Sequence, residues 1–283
     1  MPSIKQTQDH DWIFTLTLAG QDPKSLRVTQ FAWQENLSEL YQSTIFFSSY
    51  SPLSEHPELN LTDILDTQAT LKIHHRYHEE IRHLTGIVTQ IQAIGFSKHW
   101  ANYQIQIGPE LERLSLTSDA RVFQATSAPD IVKTILNEHN LSNHEFRLND
   151  SRPPREWCVQ YEETHLDFID RLLAEEGIFY YWEHTEYNAK LILCDHSQMG
   201  THLPRPIEYN NIPSGHKKGE FLDTLTWQES IASTELKQRD YSFWNPAYNQ
   251  EQKLFKQRPE GENSYALYAP IGRYKDAGTG KRF

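Results

Sequence analysis

Between residues 156 and 182 the hydrophobic rhythm of the chain changes twice. Trp157 to Tyr161 alternates with the period of two that marks a strand. Leu166, Phe168, Ile169, Leu172 and Leu173 then recur at helical spacing, and Ile178 to Trp182 returns to strand character. The pattern predicts a strand over 157–161, a helix over 165–176 and a second strand over 178–182. Thr164 can cap the helix because Asp167 stands three residues on, and Gly177 suits a left-handed C-terminal cap. At about 100° per residue the five apolar side chains share an arc of roughly 160°, opposite Asp167, Asp170, Arg171 and Glu175. That face must be buried, since each large apolar side chain gains roughly 1.5–3 kcal/mol on full burial, far more than helix propensity supplies.

The same reading orders the rest of the chain. Residues 11–19, 26–33 and 41–50 alternate as strands, with 35–39 a connection and the prolines at 52 and 57 marking a loop. Leu61 to Leu65 makes one helical turn. Ala69 to His74 and Leu84 to Ile94 form a hairpin, and Tyr103 to Ile107 the next strand, so six or seven strands precede Pro109. Ser127 then opens a helix, with Asp130 completing a capping box, Pro129 in the first turn, and Ile131, Val132, Ile135 and Leu136 on the buried face until His139 and Asn140 end it. Residues 142–155 are a polar spacer. Residues 200–219 read as loop, 221–229 and 235–243 as strands, and 245–263 as a polar mobile stretch. Alternating aromatics return at 265–283.

Composition narrows the function. Mean hydropathy is −0.69 while aromatics reach 12%, so Trp, Tyr and Phe supply much of the apolar area, which favours strands and interfaces. Net charge is −11, with no Lys/Arg run longer than two residues, which argues against nucleic acid. The two cysteines, Cys158 and Cys194, lack metal-ligand spacing and fit a reduced environment. The first ten residues carry no apolar signal region, and no stretch approaches eighteen apolar residues. If the chain leaves the cell, it does so by a route that reads the folded protein.

Three clusters invite a chemical reading. His74, His75, His78, Glu79, Glu80 and His83 contain metal-ligand types, but a zincin needs His at i and i+4 with Glu beside the first. Here His78-Glu79 is followed by His83 five residues on, and strands flank the group, so a solvated hairpin tip is expected. Cys194-Asp195-His196 places nucleophile, acid and base types in a row. Neighbours in a strand face opposite ways and cannot form a triad together. Phe179 to Trp182 could stack sugars or bases, yet its alternation fits a strand covered on both faces. Glu162-Glu163 and Glu175-Glu176 read as solvated charge. No catalytic, cofactor-binding or metal-binding residue is assigned.

Several stretches taken together carry a family resemblance: Leu37-Ser-Glu-Leu-Tyr, Gly86-Ile-Val, Gly108-Pro-Glu-Leu-Glu-Arg-Leu, Arg121-Val-Phe-Gln, Ser127-Ala-Pro-Asp-Ile-Val, Arg239-Asp-Tyr-Ser-Phe, the terminus around Gly272 and, above all, residues 157–181. Their order and spacing resemble the amino-terminal half of the VgrG family of type VI secretion spike proteins, and its relative, the hub of contractile-phage baseplates. The resemblance implies a mainly β fold with a few helices (α+β), built as two β-barrel-like domains with the second inserted in the first. Residues 1–115 would start the first domain, 116–200 would form the inserted one with its two helices, and 201–283 would return to the first and stop before any OB or needle region. It further implies a non-enzymatic homotrimer, a symmetry adapter whose six barrels face the hexameric Hcp tube. Baseplate components would be partners, and effector or spike-tip proteins would attach through a carboxy-terminal region beyond this chain. The protein would be cytoplasmic before firing and then secreted without a signal peptide. The hub of a phage or prophage tail is the alternative within the same architecture. A metal-dependent hydrolase using the His74–His83 hairpin is the alternative from another class.

Overall fold

A sheet of six antiparallel strands organises the first part of the chain: β1 (Trp12–Leu18), β2 (Leu26–Gln34), β3 (Gln42–Tyr50), β4 (Gln68–His75), β5 (Ile81–Phe96) and β6 (Trp100–Gly108), in the order β1-β4-β5-β6-β3-β2. The computed structural model describes residues 12–50, 59–76, 81–96, 99–201, 206–209, 221–241, 243, 246–255 and 265–269. The 16-residue β5 serves two partners in succession, β4 along its first half and β6 along its second. Bulges after Val88 and Ala93 bend it between them, as an extra unpaired residue in one strand does. The curl brings the two edge strands round to face each other, with the rings of Phe14 and Phe31 5.2 Å apart across the gap, and leaves a near-closed barrel. Alternate side chains fill it: Leu16, Ile45, Phe47, Leu71, Val88 and Ile105 are all buried. The helical turn α1 (Leu61–Ile64) contributes Ile64 to the same core.

Gly86 explains one motif. A Cβ there would collide with the carbonyl oxygen of Gly108 and lie 2.6 Å from the Tyr41 hydroxyl, so the strand crossing admits only glycine.

A second core begins at Leu111. It contains β7 (Ser118–Thr126), α2 (Ala128–Glu138), β8 (His144–Arg147), β9 (Arg155–Thr164), α3 (His165–Glu175), β10 (Phe179–His184) and β11 (Ala189–Cys194). β7 and β9 form an antiparallel ribbon, while β10, β11 and β8 form a three-stranded sheet with β8 parallel to β11. The helices sit where their caps place them. Ser127 Oγ accepts from Asp130 N–H at 3.3 Å, Thr164 Oγ1 accepts from Asp167 N–H at 3.1 Å, and Gly177 takes φ +65°. Phe168, Ile169, Leu172 and Leu173 of α3 meet Ile131, Ile135 and Leu136 of α2 in one cluster. The strand before α3 runs longer than its alternation suggested, and the strand after it extends to His184.

The described residues up to 206 form one compact unit, and those from 207 onwards form another. In the latter, β12 (Glu208–Tyr209) pairs with β13 (Phe221–Leu222), and β14 (Glu235–Asp240) lies between β15 (Gln250–Phe255) and β16 (Ala266–Ala269). Two expectations fail here. Only Phe221–Leu222 of the strand expected over 221–229 forms, because residues 223–233 find no ladder partner among the described residues. Conversely, Gln250–Phe255, expected to be mobile on polarity, is a strand paired residue for residue with β14. Pairing supplied by a neighbouring strand overrides a weak local signal. The expected loops around Pro52 and Pro57 and the stretch from 270 onwards lie outside the described residues.

Candidate functional site

The two cores of the first unit meet along a seam where the β10–β11 hairpin lies over the outer face of β4 and β5. Antiparallel pairing sets Thr70 opposite Thr85 there. Thr70 Oγ1 donates to Glu186 O at 3.1 Å and Thr85 Oγ1 to Thr185 O at 2.6 Å. Further along, Ser38 N–H donates to Tyr180 O at 2.9 Å. His184 is held on both sides, with Nε2 2.7 Å from Glu35 Oε1 and Nδ1 3.2 Å from the Thr85 amide nitrogen. Aromatic side chains fill the space between. Tyr41 stacks on Trp33 at 5.0 Å and meets Trp182 edge-on at 5.3 Å, while its hydroxyl donates to Thr85 O. Such edge-to-face contacts add to the area they bury. Burial alone would push the Glu35 carboxyl up. The hydrogen bond and charge of His184, with the Trp33 indole N–H and Arg82, hold it below the usual range instead.

A second polar cluster fastens the end of α3. Arg155 bridges both carboxylates that follow one another at the C-terminus, with Nη1 2.7 Å from Glu175 and Nη2 on Glu176. Arg152 joins Glu176 at 3.4 Å to Asp195 at 3.3 Å. The side chains of Glu176 and Asp195 are only 4% and 5% exposed, so the expectation of solvated charge for Glu175-Glu176 is corrected. The arginines arrive from the polar spacer and β9, a tertiary placement that no local spacing announces. Glu163, also read as solvated, lies 2.6 Å from Arg171.

The residues singled out for chemistry are dispersed. Lys72 pairs with His83 and His74 with Ile81, so His74 and His83 share one face of the hairpin. His75 lies on the other face, buried edge-on against Trp12 at 4.9 Å. His78, Glu79 and Glu80 lie outside the described residues. Among the described residues, no three His, Cys, Asp or Glu side chains stand where they could hold a metal ion together. Cys194 is fully buried and burial pushes its thiol up, whereas Asp195 accepts from Asn149 and Asp150 N–H, and His196 Nδ1 accepts from Gln198 N–H. The three neighbours therefore serve three separate ends. In the aromatic run, Tyr180 is buried in the second core, Trp182 packs at the seam and Tyr181 holds Arg147 at 3.1 Å. No helix among the described residues is long and apolar enough to cross a membrane.

What remains exposed is apolar surface. On the β7–β9 ribbon, Val122 pairs with Val159, and both project outwards with Trp157 and Tyr161, the last 66% exposed. In the other unit Trp227, Ile231 and Phe243 are each more than 80% exposed. Monomeric proteins seldom leave so many large apolar side chains in water, and such surfaces mark contacts with other chains. The arrangement thus offers rigid blocks and sticky faces, without an assembled catalytic group among the described residues.

Known proteins show the same architecture. Residues 34–283 match the family model described as phage tail baseplate hub (GPD). The type VI secretion system spike protein VgrG3 of Vibrio cholerae is 33% identical over 285 residues, covering 95% of this chain and 27% of that protein, so the chain spans about a quarter of that relative's length. Among solved structures, the Escherichia coli c3393 protein, described as a type VI secretion component, superposes with a TM-score of 0.56 at 24% identity. That match covers 65% of this chain and 49% of the other. A tail protein of Neisseria meningitidis gives 0.58 at 9% identity, covering 96% and 74%. The chain belongs to the phage tail baseplate hub family, and its sequence resembles the VgrG spike proteins of type VI secretion systems.

Proposed function

We propose that this chain is the hub at the base of a type VI secretion spike, a homotrimer that seats a needle on the hexameric Hcp tube. Residues 1–115 and 201–283 contribute the first barrel-like domain of each protomer, and 116–200 the second, inserted one. Three chains then present six similar blocks, matching a sixfold ring below and a threefold needle above. The observation that carries this reading is the exposed apolar surface on otherwise well-bonded blocks: the Trp157–Tyr161 face and the Trp227, Ile231 and Phe243 side chains belong against other chains. Baseplate proteins and spike-tip or effector proteins complete the assembly through a longer chain. The protein stays in the cytoplasm until the machine fires it out folded, with no signal peptide needed. A phage or prophage tail hub is the second reading, favoured by the likeness to the Neisseria tail protein.

Mass measurement in solution tests both hub readings. A trimer is expected, either of this chain or of the chain with its continuation, and it should co-sediment with preformed Hcp rings if the spike reading holds. A trimer that ignores Hcp supports the tail hub. A monomer in both forms overturns both.

A further inference from the structure

A histidine pair lies beneath the β7–β9 ribbon, where α2 ends and α3 begins. The ring centroids of His139 and His165 are 4.7 Å apart. His165 is 5% exposed, and Gln160, which meets it from β9, is fully buried. The Gln160 amide nitrogen donates both its hydrogens there, one to Glu163 O at 3.3 Å and the other to His165 Nδ1 at 3.1 Å. Nδ1 therefore accepts, which puts the ring proton on Nε2 and leaves the imidazole neutral.

The same amide bridges an irregularity in the ladder. Asp119 pairs with Glu163 and Arg121 with Gln160, so Tyr161 and Glu162 stand together opposite Ala120 as a bulge, with Glu162 at φ +50°. The bond from Gln160 to Glu163 O spans that bulge, and the main-chain N–H of His165 donates to Thr117 O at 3.0 Å, just before β7. Tyr161, within the bulge, belongs to the exposed apolar face of the ribbon.

A proton on His165 Nδ1 is incompatible with this arrangement. It would face an amide nitrogen that carries hydrogens, while the Gln160 acceptor, Oε1, is buried without a partner. Turning the amide gives the new N–H an acceptor and removes the bond to Glu163 O. Burial, the His139 ring and the Arg121 guanidinium hold the imidazole below its usual range, against the opposing charges of Asp119 and Glu138. Arg121 lies 2.7 Å from Glu138 and 3.6 Å from Asp119, with Nη2 buried and lacking a hydrogen-bond partner. Other charges on the surrounding elements are engaged elsewhere or solvated: Glu163 with Arg171, Asp167 with the Thr164 cap, Arg113 of the turn Glu110–Leu116 with Asp66, and Glu162 in water.

We propose that His165 and Gln160 form an acid-operated latch on the β7–β9 ribbon. With the imidazole neutral, the amide clamps the bulge. On protonation the amide turns, the clamp on Glu163 O is lost, and Tyr161 moves with the apolar face it belongs to. The folded imidazole ionises below the unfolded value of 6.5, so the stability it contributes is complete above that pH and is lost as pH falls towards the folded value. The latch lies within one protomer and stands whether or not three chains assemble.

Nuclear magnetic resonance of the intact chain, isotope-labelled at the histidine and tyrosine rings and titrated from pH 8 to pH 4, tests it. His165 should titrate with a midpoint below 6.5, and the Tyr161 signal should move with the same midpoint. His139→Asn removes one of the groups that hold His165 neutral and should move both midpoints to higher pH together. His165→Asn should leave Tyr161 unchanged through the parent's midpoint. Should that variant fail to fold, His139→Asn, at the half-buried end of α2, carries the test. A Tyr161 midpoint different from that of His165, a Tyr161 response that persists in His165→Asn, or a His139→Asn variant that does not move both midpoints overturns the proposal. So does a His165 ring that stays neutral down to about pH 4, where carboxylates themselves begin to titrate.

Discussion

His184 Nε2 lies 2.7 Å from Glu35 Oε1, joining the hairpin of the second core to the end of β2 across 149 positions of sequence. The His184 side chain is 7% exposed and that of Glu35 28%, so neither has water in full supply to replace the other. Glu35→Ala or His184→Ala is expected to cost about 1–3 kcal/mol in denaturant unfolding, the range for leaving a buried polar partner unsatisfied. The double variant should cost less than the sum, since both single changes remove one contact. The folded Glu35 carboxyl is held below its usual range, so its contribution is complete above the unfolded value near 4.5 and fades as pH falls through the folded one. Glu35→Gln should therefore flatten the acid limb of the stability curve. An unchanged acid limb would show that the contact carries no stability.

Leu172 is fully buried where α3 meets α2. Leu172→Ala should cost about 2–5 kcal/mol by cavity formation, and Leu172→Asp should unfold the second core outright. Thermal melts of both variants decide it. A melt of Leu172→Asp matching the parent would contradict the buried helix face.

Two glycines separate steric from conformational cost. At Gly177 an added Cβ meets nothing within 4 Å, so Gly177→Ala bears only the left-handed backbone penalty, about 1–2 kcal/mol. At Gly86 the same atom strikes main chain and the buried Tyr41 hydroxyl, neither of which can retreat. Gly86→Ala should cost well over that, above about 3 kcal/mol, and lower the expression of soluble protein. Comparable losses at the two positions would mean that the β5–β6 crossing can relax.

The contrast between local and distant causes explains what the sequence alone made legible. Thr164, Asp167 and Gly177 lie within one or two turns of the helix they end, as do Ser127 and Asp130, so their spacing carries the whole signal. Strands such as β3 were readable because their burial alternates residue by residue, whereas β4 and the first half of β5 are buried in consecutive runs. Glu175 and Glu176 were misread because their partners, Arg155 and Arg152, approach from β9 and the polar spacer. The Glu35–His184 contact was missed for the same reason, and no motif could have found it. Gln250–Phe255 has scarcely any alternation of its own and becomes a strand by pairing with β14. Among the candidate histidines, the burial of His75 against Trp12 depends on the pairing of β1 with β4, which no local spacing announces.

Asp170 sits on the flank of α3 with Oδ1 buried and lacking a hydrogen-bond partner. Burial pushes its carboxyl up to about 6, the charge of Asp167 adds to the effect, and the nearby Tyr180 hydroxyl opposes it. The unfolded chain ionises this group near 3.8, so between about pH 4 and pH 6 the folded state holds a proton that the unfolded state has released. Stability contributed by this site should therefore fall as pH rises through that window and stay level above it, the opposite sense to Glu35. Allowing for the carboxyl being partly solvated, the loss is about 1–2 kcal/mol. Asp170→Asn carries no charge at any pH and should remove the slope, matching the parent near pH 4 and exceeding it by that amount at pH 7. Denaturant unfolding at both values measures it, and parallel curves for parent and variant would show that the carboxyl is ionised in water like any other.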